Sequence, residues 1–230
     1  MAGARASATD KSLPLLRTDT YSDEMPALLT KSQITEARER IVLVAERQAD
    51  ELGMERVSMH SIARELGWTA TALYRYFENR DAILAAARAA AFDRLSDRLE
   101  AAMDEPGDIW TRSRAIGDAY VDFAFAQPHA YRLIFALDHQ VPGDHPDLDR
   151  AHARGRANMA RYVERMVAEG KLVGDPHLLA HTFWAGLHGV VSLQMAGKLG
   201  DGAPAFQAIR RDLVRRIVHS ALGPRARRAA

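Results

Sequence analysis

The feature that most constrains this chain is the stretch SMHSIARELGWTATALYRYF, at residues 58–77. Ser58 is a good N-cap, because its hydroxyl can accept a hydrogen bond from an unpaired amide in the first helical turn. Four apolar residues then recur at a helical period, namely Met59, Ile62, Ala63 and Leu66. Gly67 suits the positive φ that often ends a helix, and Thr69 can cap a second helix. Two short helices joined by a glycine turn form a helix-turn-helix pattern.

The second helix of this pattern has two different faces. We expect Leu73 and Phe77 to point inward together. The opposite face is left free for solvent or a partner, and it carries Ala70, Thr71, Tyr74 and Arg75. In helix-turn-helix proteins the second helix enters the major groove of DNA, led by its N-terminal end. The pattern therefore favours a DNA-binding function.

Composition limits the alternatives. At 230 residues with 47% hydrophobic side chains, the chain can bury a sizeable core. It has no cysteine, which excludes disulfides and cysteine-ligated metals. No run of about 18 apolar residues indicates a membrane span, and the N-terminal residues lack the pattern of a signal or transit peptide. We therefore expect a cytoplasmic protein with no membrane partner.

The net charge gives no support to the DNA-binding interpretation. Residues 31–80 contain eight basic and eight acidic side chains, so this region is neutral overall. A strongly basic domain is the usual electrostatic footprint of a DNA-binding protein. Here the motif carries the inference alone.

Apolar periodicity predicts an all-α chain of about nine helices. Residues 1–31 lack a sustained period and are interpreted as a disordered arm, with an arm that enters a minor groove as the alternative. A helix over 32–52, capped by Ser32 or Thr35 and stopped by Gly53, precedes the motif. The predicted divisions are residues 1–31 for the arm, 32–79 for the three-helix helix-turn-helix domain, 80–223 for a helical-bundle domain and 224–230 for a tail.

Capping residues and breaks divide the predicted bundle into six helices. Their starts or caps, in chain order, are Asn79, Asp108, Tyr131, Asp147, Asp175 and Pro204. From Leu178 to Leu199 the chain is apolar nearly all round, which is typical of a helix buried on more than one side. One side can meet its own domain, and another can meet a second subunit.

The region from about residue 34 to residue 85 resembles the DNA-binding domain of the TetR family of bacterial transcription regulators. The resemblance is carried by the string ALYRYF, with Gly67 five residues before its Ala72 and Arg80 three residues after its Phe77. In the second domain, WAGLHG at residues 184–189 resembles the W…HG signature of one subgroup of the family's C-terminal domains.

The resemblance implies a homodimer that binds a pseudo-palindromic operator and usually represses transcription. It also implies an effector, a small molecule that binds in the C-terminal domain, changes the spacing of the two recognition helices and releases the DNA. We expect the dimer to form through the last two helices, at about 176–199 and 204–222. No cofactor is expected.

The resemblance also assigns DNA contacts to individual residues. The positions where the family touches base edges are Ala70, Thr71, Tyr74 and His60. The positions where it touches phosphates are Ser58, Thr69, Tyr76 and Arg80. Arg75 suits either role, and the alternative for Tyr74 and Tyr76 is that they are ordinary surface or core aromatics.

Two residues depart from the family's pattern. Ala70 occupies a position often filled by a long polar side chain, so it cannot donate a hydrogen bond to a base. Ala70 and the Thr71 methyl instead suit apolar contact with thymine methyl groups, which predicts a thymine in each half-site. Trp68 stands where a smaller aliphatic residue is usual, and packing is the only role that we assign to it.

Apolar side chains with a few polar groups among them suggest an effector pocket in the second domain. The candidate lining residues are Phe123, Tyr131, Phe135, Tyr162, Met166, Trp184 and His188. For each of them the alternative is an ordinary place in the core.

Metal sites and enzymatic chemistry have little support. His181 and His188 can share a helix face, but a core histidine and a surface histidine are the simpler interpretation. The loop residues Asp138, His139, His145 and Asp147 suit a metal by type, but a solvated loop is the favoured interpretation. The chain lacks a phosphate loop, an HExxH motif and a GxSxG motif. We therefore expect neither a bound metal nor an enzyme.

Two other functions remain open from the residues alone. One is an all-α ligand-binding or enzymatic protein whose helix-turn-helix is only structural, and such a protein would show no steep salt dependence of DNA binding. The other is an interaction scaffold without an effector, which would have a well-packed second domain without a cavity.

Overall fold

The computed structural model describes residues 30–136, 143–200 and 204–222, which form nine α-helices and one 3₁₀ turn. The helices are α1 Lys31–Leu52, α2 Met59–Leu66, α3 Ala70–Leu73, α4 Arg80–Met103, α5 Ile109–Ala126, α6 Pro128–Ile134, α7 Pro146–Ala168, α8 Pro176–Met195 and α9 Phe206–Ala221. The 3₁₀ turn covers Met54–Arg56. These ranges contain no strand, only a single antiparallel bridge between Leu172 and Leu222. The all-α prediction is confirmed.

Most of the predicted helix caps are the ones used. Ser58, Thr69, Asn79, Asp108 and Asp175 each accept a backbone hydrogen bond at the start of α2, α3, α4, α5 and α8. The cap of α1 was predicted wrongly, because the helix begins earlier, at Lys31, with Thr30 as its N-cap. Thr30 accepts from the amide of Gln33, and the Gln33 side chain accepts from the amide of Thr30. This reciprocal capping box fixes the start ahead of Ser32 and Thr35.

Proline sets two other helix starts that differ from the predictions. Helix α6 begins at Pro128 rather than near Tyr131, and α7 begins at Pro146 rather than at Asp147. Proline suits the first helical position, because the amide that it lacks would have no partner there. The last helix begins at Phe206, two residues after the predicted Pro204.

The N-terminal domain has a filled apolar core. Helices α1, α2 and α3 contribute Ile41, Ile62 and Leu73, all fully buried, and the first turns of α4 add Ile83 and Leu84. One residue of α6, Leu133, also belongs to this core. The second domain has no single core of this kind among its described residues. Its buried side chains form three separate clusters, centred on α5 and α8, on α7 and α8, and on the contact between α4 and α7.

Some predictions concern residues that lie outside the described ranges. These are the arm up to residue 29, the loop residues Asp138 and His139, and the tail from residue 223. Within the described ranges no helix is both long enough and apolar enough to cross a bilayer. No group of three or more potential metal ligands occurs there either.

Candidate DNA interface and the cavity behind it

Helix α2 is fixed to α1 by a polar network at its N-terminus. The Ser58 hydroxyl accepts from the Ser61 amide at 3.0 Å, and the Ser61 hydroxyl accepts from the Ser58 amide at 2.9 Å. Ser61 also donates to Gln48 Oε1 at 2.8 Å, while Gln48 Nε2 donates to Glu65 at 2.7 Å. Because Gln48 is buried in α1, these contacts set the position of α2. Sequence reasoning missed Gln48 and Glu65, whose spacing on separate helices gives no local signal.

The recognition helix α3 is short and closely held. Gly67 adopts the left-handed conformation, with φ 70°, and turns the chain between α2 and α3. Regular helix ends at Leu73, earlier than the pattern predicted, and residues 74–76 continue as a turn. Leu73 and Phe77 are both buried as predicted, so the segment between them stays anchored at each end.

The predicted base-contacting side chains lie together on the outer side of α3. Thr71 and Arg75 are exposed, and Tyr74 is 58% exposed although it is a large aromatic residue. Ala70 is only half-buried and packs partly on the domain core. His60 is exposed on the neighbouring α2. The surface therefore offers a hydroxyl, a phenol and a guanidinium with apolar methyl groups beside them.

Two predicted phosphate-contacting residues have structural partners as well. Arg80 Nε donates to the Val57 carbonyl at 2.7 Å, its Nη2 donates to the Met54 carbonyl, and its Nη1 pairs with Asp81 at 3.0 Å. Arg80 thus holds the turn that leads into α2. Tyr76 is half-buried, and its ring centroid lies 5.8 Å from that of Trp68. Contact of these residues with phosphate stays a prediction.

Trp68 also has a place in this packing. On one side it meets Tyr76, and on the other the Arg40 guanidinium lies 5.3 Å from its ring centroid. The large indole therefore joins α1 to the turn after α3, where a small aliphatic side chain would not reach both. The packing role assigned to Trp68 has a specific partner on each side.

Two acidic residues of the N-terminal domain form ion pairs with arginines of the second domain. Glu46 pairs with Arg94 at 2.5 Å, and Asp50 pairs with Arg132, and both arginines belong to the second domain. These acids are already neutralised by charges of the second domain. In the part of the chain that is described, Arg64 and Arg75 form no ion pair and are exposed. A count of charges in the sequence could not distinguish these paired acids from the unpaired arginines.

Helix α6 connects the two domains through Asp50 at the end of α1. Arg132 donates to this carboxylate from Nη2 at 2.6 Å and from Nε, and His129 also contacts it. Burial alone would raise the pKa of Asp50, but the hydrogen bonds and charges of Arg132 and His129 outweigh it and lower the pKa below its ordinary value. Asp50 is therefore ionised near neutral pH, and α6 is tied to the DNA-binding domain by a charged contact.

A cavity of about 940 Å³ lies on the other side of α6, among α4, α5, α7, α8 and α9. Its volume lies in the usual range for small-molecule sites. Three of the predicted effector residues line it, namely Phe135, Tyr162 and Trp184. The other four do not. Phe123 and Met166 are buried in the apolar clusters, and Tyr131 and His188 lie behind the wall.

Tyr131 and His188 belong to a hydrogen-bonded group that supports the cavity wall. The Tyr131 hydroxyl lies 2.8 Å from His188 Nδ1 and 3.0 Å from the Tyr120 hydroxyl. Burial raises the pKa of Tyr131 to about 12 and lowers the pKa of His188, so both side chains are neutral near pH 7. The ring centroids of Phe135 and His188 are 4.5 Å apart. A displacement of Phe135 in the cavity would therefore disturb the packing of His188 and its hydrogen bond to Tyr131.

One buried polar atom at the cavity has no partner among the described residues. Asn158 lines the cavity and is 1% exposed. Its Nδ2 donates to Glu100 at 2.7 Å, which fixes the orientation of the amide because a carboxylate only accepts. Its Oδ1 accepts no hydrogen bond. Because buried polar atoms are nearly always paired, this oxygen is a candidate acceptor for a donor group of a ligand in the cavity.

Comparison with known proteins agrees with this organisation. Residues 41–87 match the family model described as "Bacterial regulatory proteins, tetR family". Residues 113–219 match the model described as "Tetracyclin repressor-like, C-terminal domain". The two matches cover separate parts of the chain, and residues 88–112 between them belong to neither match.

Individual relatives resemble most of the chain. The "HTH-type transcriptional regulator Rv1816" of Mycobacterium tuberculosis (strain ATCC 25618 / H37Rv) is 29% identical over 211 residues, covering 76% of this chain and 89% of the relative. A solved structure of a protein with unknown function from Rhodococcus sp. RHA1 is 28% identical, with a TM-score of 0.68, and covers 80% of this chain and 95% of that one. A TetR family regulator from Marinobacter aquaeolei VT8 shares the fold, with a TM-score of 0.68 at 17% identity over 84% of this chain and all of that one.

A helix-turn-helix domain followed by a helical second domain is the architecture of a DNA-binding regulator. The chain belongs to the TetR family, and it is a DNA-binding transcriptional regulator.

Proposed function

We propose that the protein is a cytoplasmic, ligand-responsive repressor that binds a pseudo-palindromic operator as a homodimer. The observation that carries the proposal is the position of α6 between the cavity and the DNA-binding domain. Ile134 and Phe135, at the end of this helix, line the cavity, while Leu133 is part of the N-terminal core. A ligand that displaces Phe135 therefore acts on the same short segment that holds Asp50.

The proposed DNA contacts rest on exposure and on the rigidity of their support. Thr71 on α3 and Tyr74 and Arg75 on the turn after it are exposed, and Leu73 and Phe77 anchor this segment in the core. Hydroxyl groups and amides at the starts of α2 and α3 suit phosphate oxygens. Two such surfaces in a dimer would enter major grooves about 34–36 Å apart, or a multiple of that distance.

The outer face of α8 supports a dimer. Leu178 is 68% exposed and Leu193 is 48% exposed, and the smaller Ala185 and Gly189 lie on the same side between them. Exposed apolar faces of this kind mark interaction sites. Helix α9 is different, since its exposed residues include Arg211, Arg215 and Arg216. Within the proposed pair of helices, we therefore assign the centre of the interface to α8 and its edge to α9.

The dimer can be tested by sedimentation. We expect the wild-type protein to sediment as a dimer and Leu193→Glu to sediment as a monomer, because a buried unpaired charge opposes the contact. Leu43→Glu is the matched control, since Leu43 is a similarly exposed leucine on α1, and it should remain a dimer. Dimers of equal stability in both variants would rule out an interface centred on α8.

DNA release can be tested with the intergenic DNA beside the gene. Fluorescence anisotropy of a labelled fragment should show tight binding that weakens steeply with salt, because each phosphate contact releases counterions. Metabolites that bind the cavity should lower the affinity for this DNA. Salt-independent binding would favour the rival in which the helix-turn-helix is only structural.

A further inference from the structure

We propose that the cavity takes an amphipathic anion, with an apolar body inside the helices and one negatively charged head group among arginines at the rim. The proposal rests on the proposed function, since it names the class of ligand for the same cavity. It follows from the way that charge is distributed over the lining residues. Basic side chains lie where the cavity meets solvent, and neutral side chains lie inside.

The interior of the cavity suits an uncharged body. The buried lining residues include Leu95, Ile116 and Phe183, and the buried polar ones are the neutral Ser96 and Asn158. None of the buried lining residues in the described ranges carries a charge. A charged group placed among them would lose its hydration without gaining a partner.

One titratable group of the wall, His152, is also uncharged at neutral pH. Burial lowers the pKa of His152, and the charges of Arg88 and Arg156 lower it further. The imidazole therefore adds no positive charge to the wall. Its ring packs edge-on against Phe92, with the centroids 4.5 Å apart, so it belongs to the aromatic lining.

The rim of the cavity is strongly basic. Five arginines from α5, α7 and α9 line it, and they are Arg114, Arg156, Arg210, Arg211 and Arg215. Among the described lining residues, Asp118 is the one carboxylate, and it pairs with Arg210. The other four arginines are exposed, and of these Arg215 pairs with Asp212, which lies outside the lining.

Three of these arginines form no ion pair in the described part of the chain, and Arg114 on α5 is one of them. Arg156 on α7 and Arg211 on α9 form no ion pair there, although most other arginines of this domain do. Guanidinium groups bind carboxylate, sulfonate and phosphate oxygens through paired hydrogen bonds. An anionic head group at the rim would supply a charged partner that these guanidinium groups lack. The shared chemistry is an anion on an apolar body, whether its charge comes from a carboxylate or from a phosphate.

Two fluorescent dyes test the charge requirement directly. Anilinonaphthalene sulfonate and phenylnaphthylamine share an aromatic body, but only the first carries an anionic group. Both can be titrated into the full-length protein, and their fluorescence rises in an apolar site. We expect the sulfonate to bind more tightly than the neutral amine, and Ser113→Trp, which fills the cavity from α5, to weaken both dyes.

Substitution at the rim should separate charge from shape. We expect the double variant Arg156→Gln and Arg211→Gln to bind the sulfonate roughly tenfold more weakly than the wild type does. Its affinity for the neutral amine should stay within about twofold of the wild-type value. Arg215 and Arg216 provide a matched pair, since their side chains are 74% and 75% exposed and both pair with Asp212. Only Arg215 lines the cavity, so Arg215→Gln should weaken the sulfonate and Arg216→Gln should not.

Displacement of the sulfonate by dodecanoate and by dodecyl phosphate, but not by dodecanol, would support the proposal and show which head group is preferred. Equal binding of the two dyes, or an equal response of both to the arginine substitutions, would overturn the anion while leaving a ligand cavity in place. Sulfonate binding that Ser113→Trp leaves unchanged would also overturn it, because the dye would then sit elsewhere. Failure of every compound to bind would contradict the effector role of the cavity itself.

Discussion

The two domains fill their interiors in opposite ways. In the N-terminal domain, side chains from α1 to α4 meet in one core, and residues such as Ile62 and Leu73 are fully buried. In the second domain, the apolar side chains are divided among three clusters, with a cavity of about 940 Å³ beside them. The difference teaches that the domain that contacts DNA has a fixed shape, whereas the domain behind it has room for a ligand.

The first prediction tests this contrast by removing one apolar side chain from each domain. We expect Leu73→Ala to lower the free energy of unfolding by about 2–5 kcal/mol, because a filled core collapses poorly around the hole. Leu99→Ala should cost less, about 1–2 kcal/mol, because Leu99 lines the cavity and already lacks partner atoms on one side. Urea denaturation followed by circular dichroism measures both. Equal losses would mean that the second domain is as tightly packed as the first.

The second prediction concerns the contact between the domains. Asp50→Asn should destabilise the protein by about 1–3 kcal/mol at pH 7, because it weakens hydrogen bonds to charged groups. Asp212→Asn is the matched control, since its pairs with Arg215 and Arg216 are exposed, and it should leave the free energy of unfolding nearly unchanged. A similar loss in both variants would show that α6 does not depend on Asp50.

The pH dependence of this contact has a definite sign. The pKa of Asp50 is lowered in the folded protein, so its contribution to stability is complete above the ordinary carboxyl pKa near about 4. The contribution is lost as the pH falls through the lowered value. The difference in thermal midpoint between wild type and Asp50→Asn should therefore be constant from neutral pH down to about 5 and shrink below about 4.

The helix-turn-helix could be predicted nearly residue by residue because its signals are local. The caps Ser58, Thr69 and Asn79 act on amides three residues away, and Gly67 acts on its own backbone. The same logic failed for α1, where Ser32 and Thr35 are equally good caps by type. Thr30 is used because Gln33 completes the capping box with it.

The cavity could be predicted only in part, because its wall is made by tertiary packing. Phe123 and Phe135 are both aromatic residues on apolar segments, and no sequence pattern shows that only Phe135 faces the space. Asn158 and the rim arginines were missed because they resemble ordinary polar residues of amphipathic helices. The repeat of Arg211 and Arg215 on one side of α9 was the one local signal of a basic rim.

The smallest predicted effect concerns methyl contacts at the recognition helix. If the methyl groups of Ala70 and Thr71 contact thymine, replacing that thymine with uracil should weaken binding by about 0.8 kcal/mol, roughly fourfold. Uracil substitution elsewhere in the fragment is the control. Binding that is unchanged at every position would exclude thymine methyl contact by these residues.

The most direct test of the central claim is the affinity of Tyr74→Ala for the operator-containing fragment, measured by anisotropy over a series of salt concentrations. We predict a loss of roughly tenfold or more with the dimer intact. Phe125→Ala, which removes a 43% exposed aromatic residue from α5, should bind as the wild type does. Wild-type affinity for Tyr74→Ala would contradict the assignment of α3 as the DNA-reading surface.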